Sequence, residues 1–227
     1  MGNKPYVICH MMTSVDGRID CAMTEHLPGV QEYHAALDAL AAPTRVSGRV
    51  SAEREMALPG AFRSETTTPL GREAWSRAVA ADGYEIVVDT RGTLLWDPAA
   101  DERPLLIVTA EQVSREYLAY LDGLGISWIA CGRERIDLAR ACAILAAAFG
   151  VARMAVVGGG LINAGFLAAG LLDEVSLLIG AGIDGRGGMG AVFDGLPQER
   201  GVTQLRLTDV QRYDSGAVWL RYAVAGR

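Results

Sequence analysis

Short apolar runs alternate with amphipathic stretches along most of this chain. Runs of strand length lie at residues 6–12, 44–50, 86–88, 105–108, 128–130, 155–157 and 175–179. Helical patterns lie between them, at residues 31–41, 72–81, 111–121 and 138–149. In the first of these, Tyr33, Leu37 and Leu40 share one face. The alternation indicates an α/β fold with a mostly parallel central sheet and helices on both faces.

The end of the chain departs from this alternation. Residues 180–190 contain six glycines in eleven positions, too many for a regular element. Residues 204–213 and 217–223 flank an Asp-Ser-Gly turn, which predicts an antiparallel C-terminal hairpin. A polar stretch at 57–69 predicts a surface loop. Because no linker or repeat interrupts the pattern, we expect a single domain over residues 1–227.

Charge and cysteine content narrow the classes of function. The formal net charge is −6 and the pI is about 5.1, which argues against nucleic acid and against an anionic membrane surface as partners. The four cysteines have no metal-like spacing, so we expect reduced thiols and no bound metal. The sequence shows neither a secretory signal nor an apolar run long enough to cross a bilayer, so the expected location is the cytoplasm.

The most informative motif is the run Val157-Gly158-Gly159-Gly160, which joins an apolar strand to a helix of small residues. Glycines at such a junction let the backbone approach a ligand closely, and a helix N-terminus offers unpaired N–H groups to an anion. The motif predicts a phosphate site, most specifically one for a dinucleotide diphosphate. It is not the G-x-G-x-x-G fingerprint, because Asn163 stands at the third glycine position. A tight turn with close packing is the alternative.

Other candidate polar residues lie near the ends of the predicted strands. Ser14 and Asp16 form a Ser-x-Asp-Gly turn after the first strand, at an edge where open α/β sheets bind ligands. Ser51 follows the second strand, where it can cap a helix or bind phosphate. Glu174 precedes the strand at 175–179, and His10 lies within the first strand. Each of these taken alone also has a purely structural interpretation.

In their order along the chain, several motifs resemble those of a known family. They are Ser14-x-Asp16-Gly17-Arg18-Ile19, Ser47-Gly48-Arg49-Val50-Ser51, Ile86-Val87-Val88-Asp89, Ile136-Asp137-Leu138, Val157-Gly158-Gly159-Gly160 and Gly170-Leu171-Leu172-Asp173-Glu174. Over residues 6–222 the chain resembles the reductase domain of the riboflavin-biosynthesis deaminase/reductase family, which has the dihydrofolate reductase-like fold. No deaminase domain precedes it, so we expect the stand-alone form.

This resemblance implies an NADPH-dependent reductase, usually a homodimer, with a pyrimidine- or pterin-like small molecule as substrate. It implies that Ser14 and Asp16 lie near the nicotinamide and that Glu174 faces the substrate. His10 is the candidate proton donor, with water as the alternative. The residues that it assigns to the cofactor are Ser51, Glu55, Thr109, Cys131, Gly158, Gly159, Gly160, Leu161 and Ile162, with Thr109 at the ribose 2′-phosphate.

Two departures from the family pattern bear on the substrate. His10 stands where the riboflavin reductases have lysine, and the sequence from Glu55 to Leu58 replaces their Asp-Asn-Pro segment, which holds a ribose phosphate. Both departures favour an unphosphorylated heterocyclic or carbonyl substrate. A true 5-amino-6-(5-phosphoribosylamino)uracil reductase and a non-catalytic nucleotide-binding or regulatory protein remain alternatives. A short-chain dehydrogenase is disfavoured, because the sequence has no Tyr-x-x-x-Lys pair.

Overall fold

A computed structural model describes residues 4–66, 68–97 and 103–225. The strands are β1 (Tyr6–Thr13), β2 (Thr44–Gly48), β3 (Ala74–Ser76), β4 (Glu85–Val88), β5 (Leu105–Thr109), β6 (Ser127–Ala130), β7 (Arg153–Val156), β8 (Glu174–Ile179), β9 (Leu205–Arg212) and β10 (Val218–Val224). The helices are α1 (Cys21–Thr24), α2 (Val30–Ala39), α3 (Arg49–Glu55), α4 (Arg115–Gly123), α5 (Leu138–Phe149) and α6 (Gly160–Ala168). Among the described residues, none of the helices has both the length and the apolar character needed to cross a membrane.

The chain divides into two compact units. The first consists of Met1–Pro5 and Pro43–Met154, and its strands follow the order β3-β6-β5-β4-β2. The pairs β2/β4, β4/β5 and β5/β6 are parallel, and only the edge strand β3 is antiparallel to its neighbour. Their apolar side chains pack against α4, where Tyr117 and Leu121 are fully buried. Because parallel strands all point one way, the carboxyl ends of β2, β4, β5 and β6 lie at one edge.

The second unit consists of Tyr6–Ala42 and Ala155–Arg227, and its strands follow the order β7-β1-β8-β10-β9. Strand β1 is parallel to β8, while β8/β10 and β10/β9 are antiparallel. Helix α2 covers part of this sheet, on a core that includes Ile8, Met12, Leu178 and Trp219. The α/β class, the parallel pairs and the antiparallel C-terminal hairpin are confirmed.

Two predicted helices need correction. Residues 72–81 are not helical: Ala74–Ser76 is extended and pairs with β6, and the Trp75 ring packs edge-on against Phe149 at 6.0 Å. The helix predicted to begin at residue 111 begins at Arg115, because Ser114 caps it by accepting the Tyr117 N–H at 3.1 Å. In the first case pairing with a distant strand outweighs helix propensity, and in the second a local cap sets where the helix begins.

Candidate functional site

Strand β1 ends in a hydrogen-bonded turn that brings Ser14 and Asp16 together. Ser14 Oγ donates to Asp16 Oδ1 at 2.6 Å and accepts the Arg18 N–H at 3.1 Å. The Ser14 N–H donates to the Arg18 carbonyl at 3.0 Å. Gly17 closes the turn at a φ of +81°, which glycine adopts without strain. The turn is therefore fixed by its own residues.

Asp16 also anchors the glycine-rich stretch predicted at 180–190. Its two carboxylate oxygens accept the backbone N–H groups of Asp184 and Gly185, each at 3.0 Å. The hydrogen bond from Ser14, followed by those from the two N–H groups, lowers the pKa of Asp16 below its usual range. Asp16 is therefore ionised at neutral pH. An ionised carboxylate accepts hydrogen bonds more strongly than a protonated one.

Both arginines at this end of β1 are already engaged. Arg18 Nη1 donates to the Met189 carbonyl at 2.8 Å, and Arg186 pairs with the carboxylates of Asp184 and, at 2.9 Å, Asp20. We call the charged residues linked by these contacts the β1-end cluster: Asp16, Asp20, Asp184, Arg18 and Arg186. It has three carboxylates and two guanidinium groups, so the cluster is net negative.

The three predicted glycines form a corner between β7 and α6. Gly159 is the N-cap of α6, at a φ of +78° that favours glycine. A Cβ on Gly160 would collide with the Ala191 carbonyl oxygen, so this position admits only glycine without rearrangement. The side chain of Leu161, in the first turn, is 71% exposed. The first turn of a helix has N–H groups without intrahelical partners, and here it is accessible on the side of Leu161, while Gly158 and Gly160 are buried.

The β1 turn is connected to this glycine corner by residues 189–194, and no motif in the sequence predicts this connection. On one side the Ile19 N–H donates to a carbonyl of this segment at 3.3 Å. On the other side the Asp194 N–H donates to the Gly160 carbonyl at 3.2 Å, and Asn163 Nδ2 donates to a segment carbonyl at 2.8 Å. The structure thus joins Ser14, Asp16 and the glycine corner into one hydrogen-bonded region.

His10 lies away from this region, beneath α2. Its ring is fully buried and stacks on Tyr33, with ring centroids 4.6 Å apart and planes 7° from parallel. Nδ1 lies 2.9 Å from Ser176 Oγ, and Nε2 lies 3.3 Å from the Tyr33 carbonyl oxygen. The Trp219 indole N–H donates to the same Ser176 hydroxyl at 2.7 Å. These contacts describe a packed interior group with both ring nitrogens engaged.

The structure does not bring Glu174 to Ser14 and Asp16. In the parallel pair β1/β8, Glu174 is opposite Ile8, whereas Thr13 at the other end is opposite Ile179. Five residues of extended strand span about 17 Å. At its own end, Glu174 accepts hydrogen bonds from Arg221 Nε at 2.6 Å and from the Tyr6 hydroxyl at 3.1 Å.

In the first unit, Thr109 and Cys131 lie side by side at the carboxyl ends of β5 and β6. The Cys131 N–H donates to the Thr109 carbonyl at 3.1 Å, and both residues are fully buried. The Thr109 hydroxyl donates to the carbonyl of the next residue at 2.8 Å. Burial raises the pKa of the Cys131 thiol to about 12.

The other two residues that the resemblance assigns to the cofactor in this unit belong to α3. Ser51 lies within this helix, whose N-cap is Gly48, and Glu55 is exposed at the last position of the helix.

The resemblance implies NADPH, whose diphosphate needs N–H donors that it can approach. The first turn of α6 has N–H groups without intrahelical partners and an exposed residue, Leu161, whereas the Ala191 carbonyl occupies the space beside Gly160. The exposed side of this first turn therefore fits a nucleotide diphosphate. In the described part of the chain, no group of three or more His, Cys, Asp or Glu side chains is arranged to hold a metal ion.

Comparison with known proteins identifies a family. The family model of the RibD C-terminal domain matches residues 5–219, which span both units. No curated protein matches the chain.

Solved structures share the fold at low sequence identity. A pyrimidine reductase-like protein from Corynebacterium diphtheriae is 17% identical, with a TM-score of 0.73 over 99% of this chain and 94% of that chain. Acinetobacter baumannii RibD is 19% identical, with a TM-score of 0.69 over 98% of this chain and 58% of that chain. The Saccharomyces cerevisiae riboflavin biosynthesis reductase is 12% identical, with a TM-score of 0.57 over 99% and 92%. The fold is thus the dihydrofolate reductase-like fold of RibD-type reductases, as expected.

Proposed function

Because this chain belongs to the RibD C-terminal domain family, a family of the riboflavin-biosynthesis reductase type, we propose that it is an NADPH-dependent reductase. Its reaction transfers a hydride to a C=N or C=O carbon of a small heterocyclic molecule. The observation that carries the proposal is the glycine corner, where the first turn of α6 is joined through residues 189–194 to the hydrogen-bonded turn of Ser14 and Asp16.

The chain's own residues contribute binding and position. The N–H groups of the first turn of α6, from Gly159 to Leu161, hold the diphosphate, and Ile162 extends that turn. Asp16 keeps the adjoining glycine-rich loop in place through its two N–H contacts. When bound, NADPH supplies the hydride, and the reduced substrate also gains a proton. Only the resemblance assigns four further residues to the cofactor: Ser51, Glu55, Thr109 and Cys131.

We further propose that solvent supplies the proton. His10, the candidate from sequence, is fully buried under α2, and Ser176 and the Tyr33 carbonyl engage its nitrogens. A proton donor must come within hydrogen-bond reach of the reacting group, directly or through a water molecule. In this proposal His10 stabilises the unit from within.

The charges near the β1 turn favour a substrate without a phosphate group. The β1-end cluster is net negative, Arg186 pairs with two of its carboxylates, and Arg18 Nη1 is bound to the Met189 carbonyl. A phosphorylated substrate would meet carboxylates there, and Arg186 would need to exchange partners to bind it. Arg18 Nε, which is buried without a hydrogen-bond partner among the described residues, lies 4.0 Å from Asp16 Oδ2. This agrees with the two departures from the family pattern described in the sequence analysis, one of which replaces a segment that holds a ribose phosphate.

The test has two stages that fail separately. Fluorescence titration of the purified protein with NADPH and NADH first measures cofactor binding, with NADPH expected to bind more tightly. Loss of NADPH absorbance then reports turnover of 5-amino-6-(5-phosphoribosylamino)uracil and of its dephosphorylated counterpart, with the dephosphorylated compound expected to have the higher kcat/KM.

Each other outcome points to a different conclusion. Binding of neither nucleotide contradicts the reductase proposal altogether. Binding of NADPH without turnover of these compounds or of a wider panel of reducible heterocycles supports the non-catalytic alternative. Preference for the phosphorylated compound restores the riboflavin-pathway substrate and contradicts the electrostatic argument.

A further inference from the structure

Strand β3 and helix α5 enclose an open groove within the first unit, which we call the β3/α5 groove. Side chains at alternate strand positions share a face, and Glu73, Trp75 and Arg77 all lie on the side of β3 that meets α5. At one end Glu73 accepts two hydrogen bonds from Arg140, each at 2.8 Å. At the other end Arg77 Nη1 donates to the Ala148 carbonyl at 2.8 Å. The groove is therefore about 12 Å long, since eight helical residues lie between these two contacts.

The floor of the β3/α5 groove consists of small apolar side chains. The groove has a volume of about 470 Å³, and α5 contributes Ala143, Ile144, Ala147 and Ala148 to it, at helical spacings of three and four residues. Arg140 is the only charged residue of α5. A surface helix usually presents charged or polar side chains on its outer face. Alanines take their place here, and they leave a low, apolar floor that a flat molecule can approach.

Trp75 supplies an aromatic surface to the same groove. Its side chain is 49% exposed, whereas the other three tryptophans of the chain are buried. The Phe149 ring supports Trp75 edge-on, with the two ring planes 65° apart. An indole that is held on one side and accessible on another is a stacking surface for a second aromatic ring.

The net positive charge of the groove comes from Arg77. The Arg140 guanidinium is neutralised by Glu73. Within the described residues, no carboxylate lies within ion-pair distance of Arg77, and only its Nη1 donates a hydrogen bond. A guanidinium with N–H groups to spare binds a carboxylate strongly and in a fixed orientation. This positive site occurs in a chain whose net charge is −6.

We propose that the β3/α5 groove binds a small planar aromatic molecule that has one carboxylate group. The ring stacks against Trp75 over the alanine floor, and the carboxylate accepts hydrogen bonds from Arg77. The groove volume falls within the range of about 300–1,000 Å³ that is typical of small-molecule sites. The inference does not depend on the proposed reductase activity, because none of the residues that line the groove belongs to the glycine corner or to the β1 turn.

Two-dimensional ¹H–¹⁵N NMR of the full chain tests the proposal, with 2-naphthoate as the probe. Each tryptophan gives its own indole N–H signal, and Trp75→Phe identifies the signal of Trp75. The other three indoles donate to Tyr117, Asp122 and Ser176 in the interior and serve as internal references. We expect 2-naphthoate to shift the Trp75 signal saturably, with a Kd on the order of 1 mM. The three reference signals should stay in place.

The contribution of the charge is measured separately from that of the ring. 2-Naphthamide has the same ring without the charge and should bind at least about fivefold more weakly than 2-naphthoate. Arg77→Gln should weaken 2-naphthoate binding by a similar factor, and Arg77→Lys, which keeps the charge, should recover part of the loss. Arg206→Gln, at an exposed position of β9, is the matched control and should bind like the wild type.

Three results would overturn the proposal: no saturable shift of the Trp75 signal, equal affinities for 2-naphthoate and 2-naphthamide, or unchanged affinity in the Arg77→Gln variant. The comparison of the two probes uses the wild-type chain, so it remains decisive if the Arg77→Gln variant does not fold. Displacement of 2-naphthoate by saturating NADPH would assign the groove to the cofactor and overturn its assignment as a separate site. A chain that binds no NADPH but binds 2-naphthoate as described would contradict the reductase proposal alone.

Discussion

A single substitution in the first turn of α6 should change stability and cofactor affinity in opposite directions. The side chain of Leu161 is 71% exposed, so Leu161→Asp removes little buried apolar surface. A carboxylate in the first turn of a helix stabilises it by about 0.3–1 kcal/mol through the helix dipole. The same carboxylate repels a diphosphate bound at the glycine corner.

The size of this repulsion follows from Coulomb's law. Two unit charges about 6 Å apart in water repel one another by about 0.7 kcal/mol, so a diphosphate with two negative charges is repelled by about 1.4 kcal/mol. The dissociation constant for NADPH should therefore rise about tenfold at low salt. At about 0.5 M salt, screening should remove most of this difference.

Leu161→Asn is the matched control, because it has nearly the same shape without the charge. Fluorescence titration gives the NADPH affinity of the three proteins, and calorimetry gives their Tm values. We expect the Asn variant to bind like the wild type and the Asp variant to have a Tm at least as high as that of the Asn variant. Equal affinity of the Asp and Asn variants at low salt would refute the placement of the diphosphate at this corner.

Two further predictions concern stability. His10→Ala should lower the free energy of unfolding by about 2–4 kcal/mol, because it empties a buried site and removes a partner of Ser176. The kcat of the folded variant should stay unchanged. A large loss of kcat at wild-type stability would instead mark His10 as the proton donor. Gly92→Ala should cost about 3 kcal/mol or more in urea unfolding, since its φ is +65° and a Cβ would collide with the Tyr117 ring. Gly150→Ala, at a φ of +71° in open space, should cost only about 1–2 kcal/mol, and similar losses for the two would show that the collision is relieved.

Sequence patterns located most elements because their signals are local. Helix α5 lies at the predicted residues, since Asp137 caps its start by accepting the Arg140 N–H at 2.9 Å and Gly150 ends it with a φ of +71°. The prediction of a helix at residues 72–81 is wrong because their composition favours a helix, whereas β3 is held by pairing with a strand about fifty positions away. Such a contact leaves no periodic signal in the segment itself.

The site was predictable only in part for a similar reason. The turn of Ser14 and Asp16 and the glycine corner follow from short motifs at strand ends. The position of Glu174 depends on strand register, which puts it at the far end of β8. The segment 189–194 has no motif of its own, and its importance appears only from its contacts with both sides of the site.

The burial of three of the four cysteines has a practical consequence. Cys9, Cys131 and Cys142 are buried, and burial raises the pKa of Cys9 and Cys131 well above the usual range of a thiol, whereas Cys21 is exposed. A maleimide dye at neutral pH should therefore attach at one position without any mutation. That position adjoins Asp20, whose carboxylate pairs with an arginine of the glycine-rich loop, so the dye's emission would report rearrangement of the loop when a nucleotide is added.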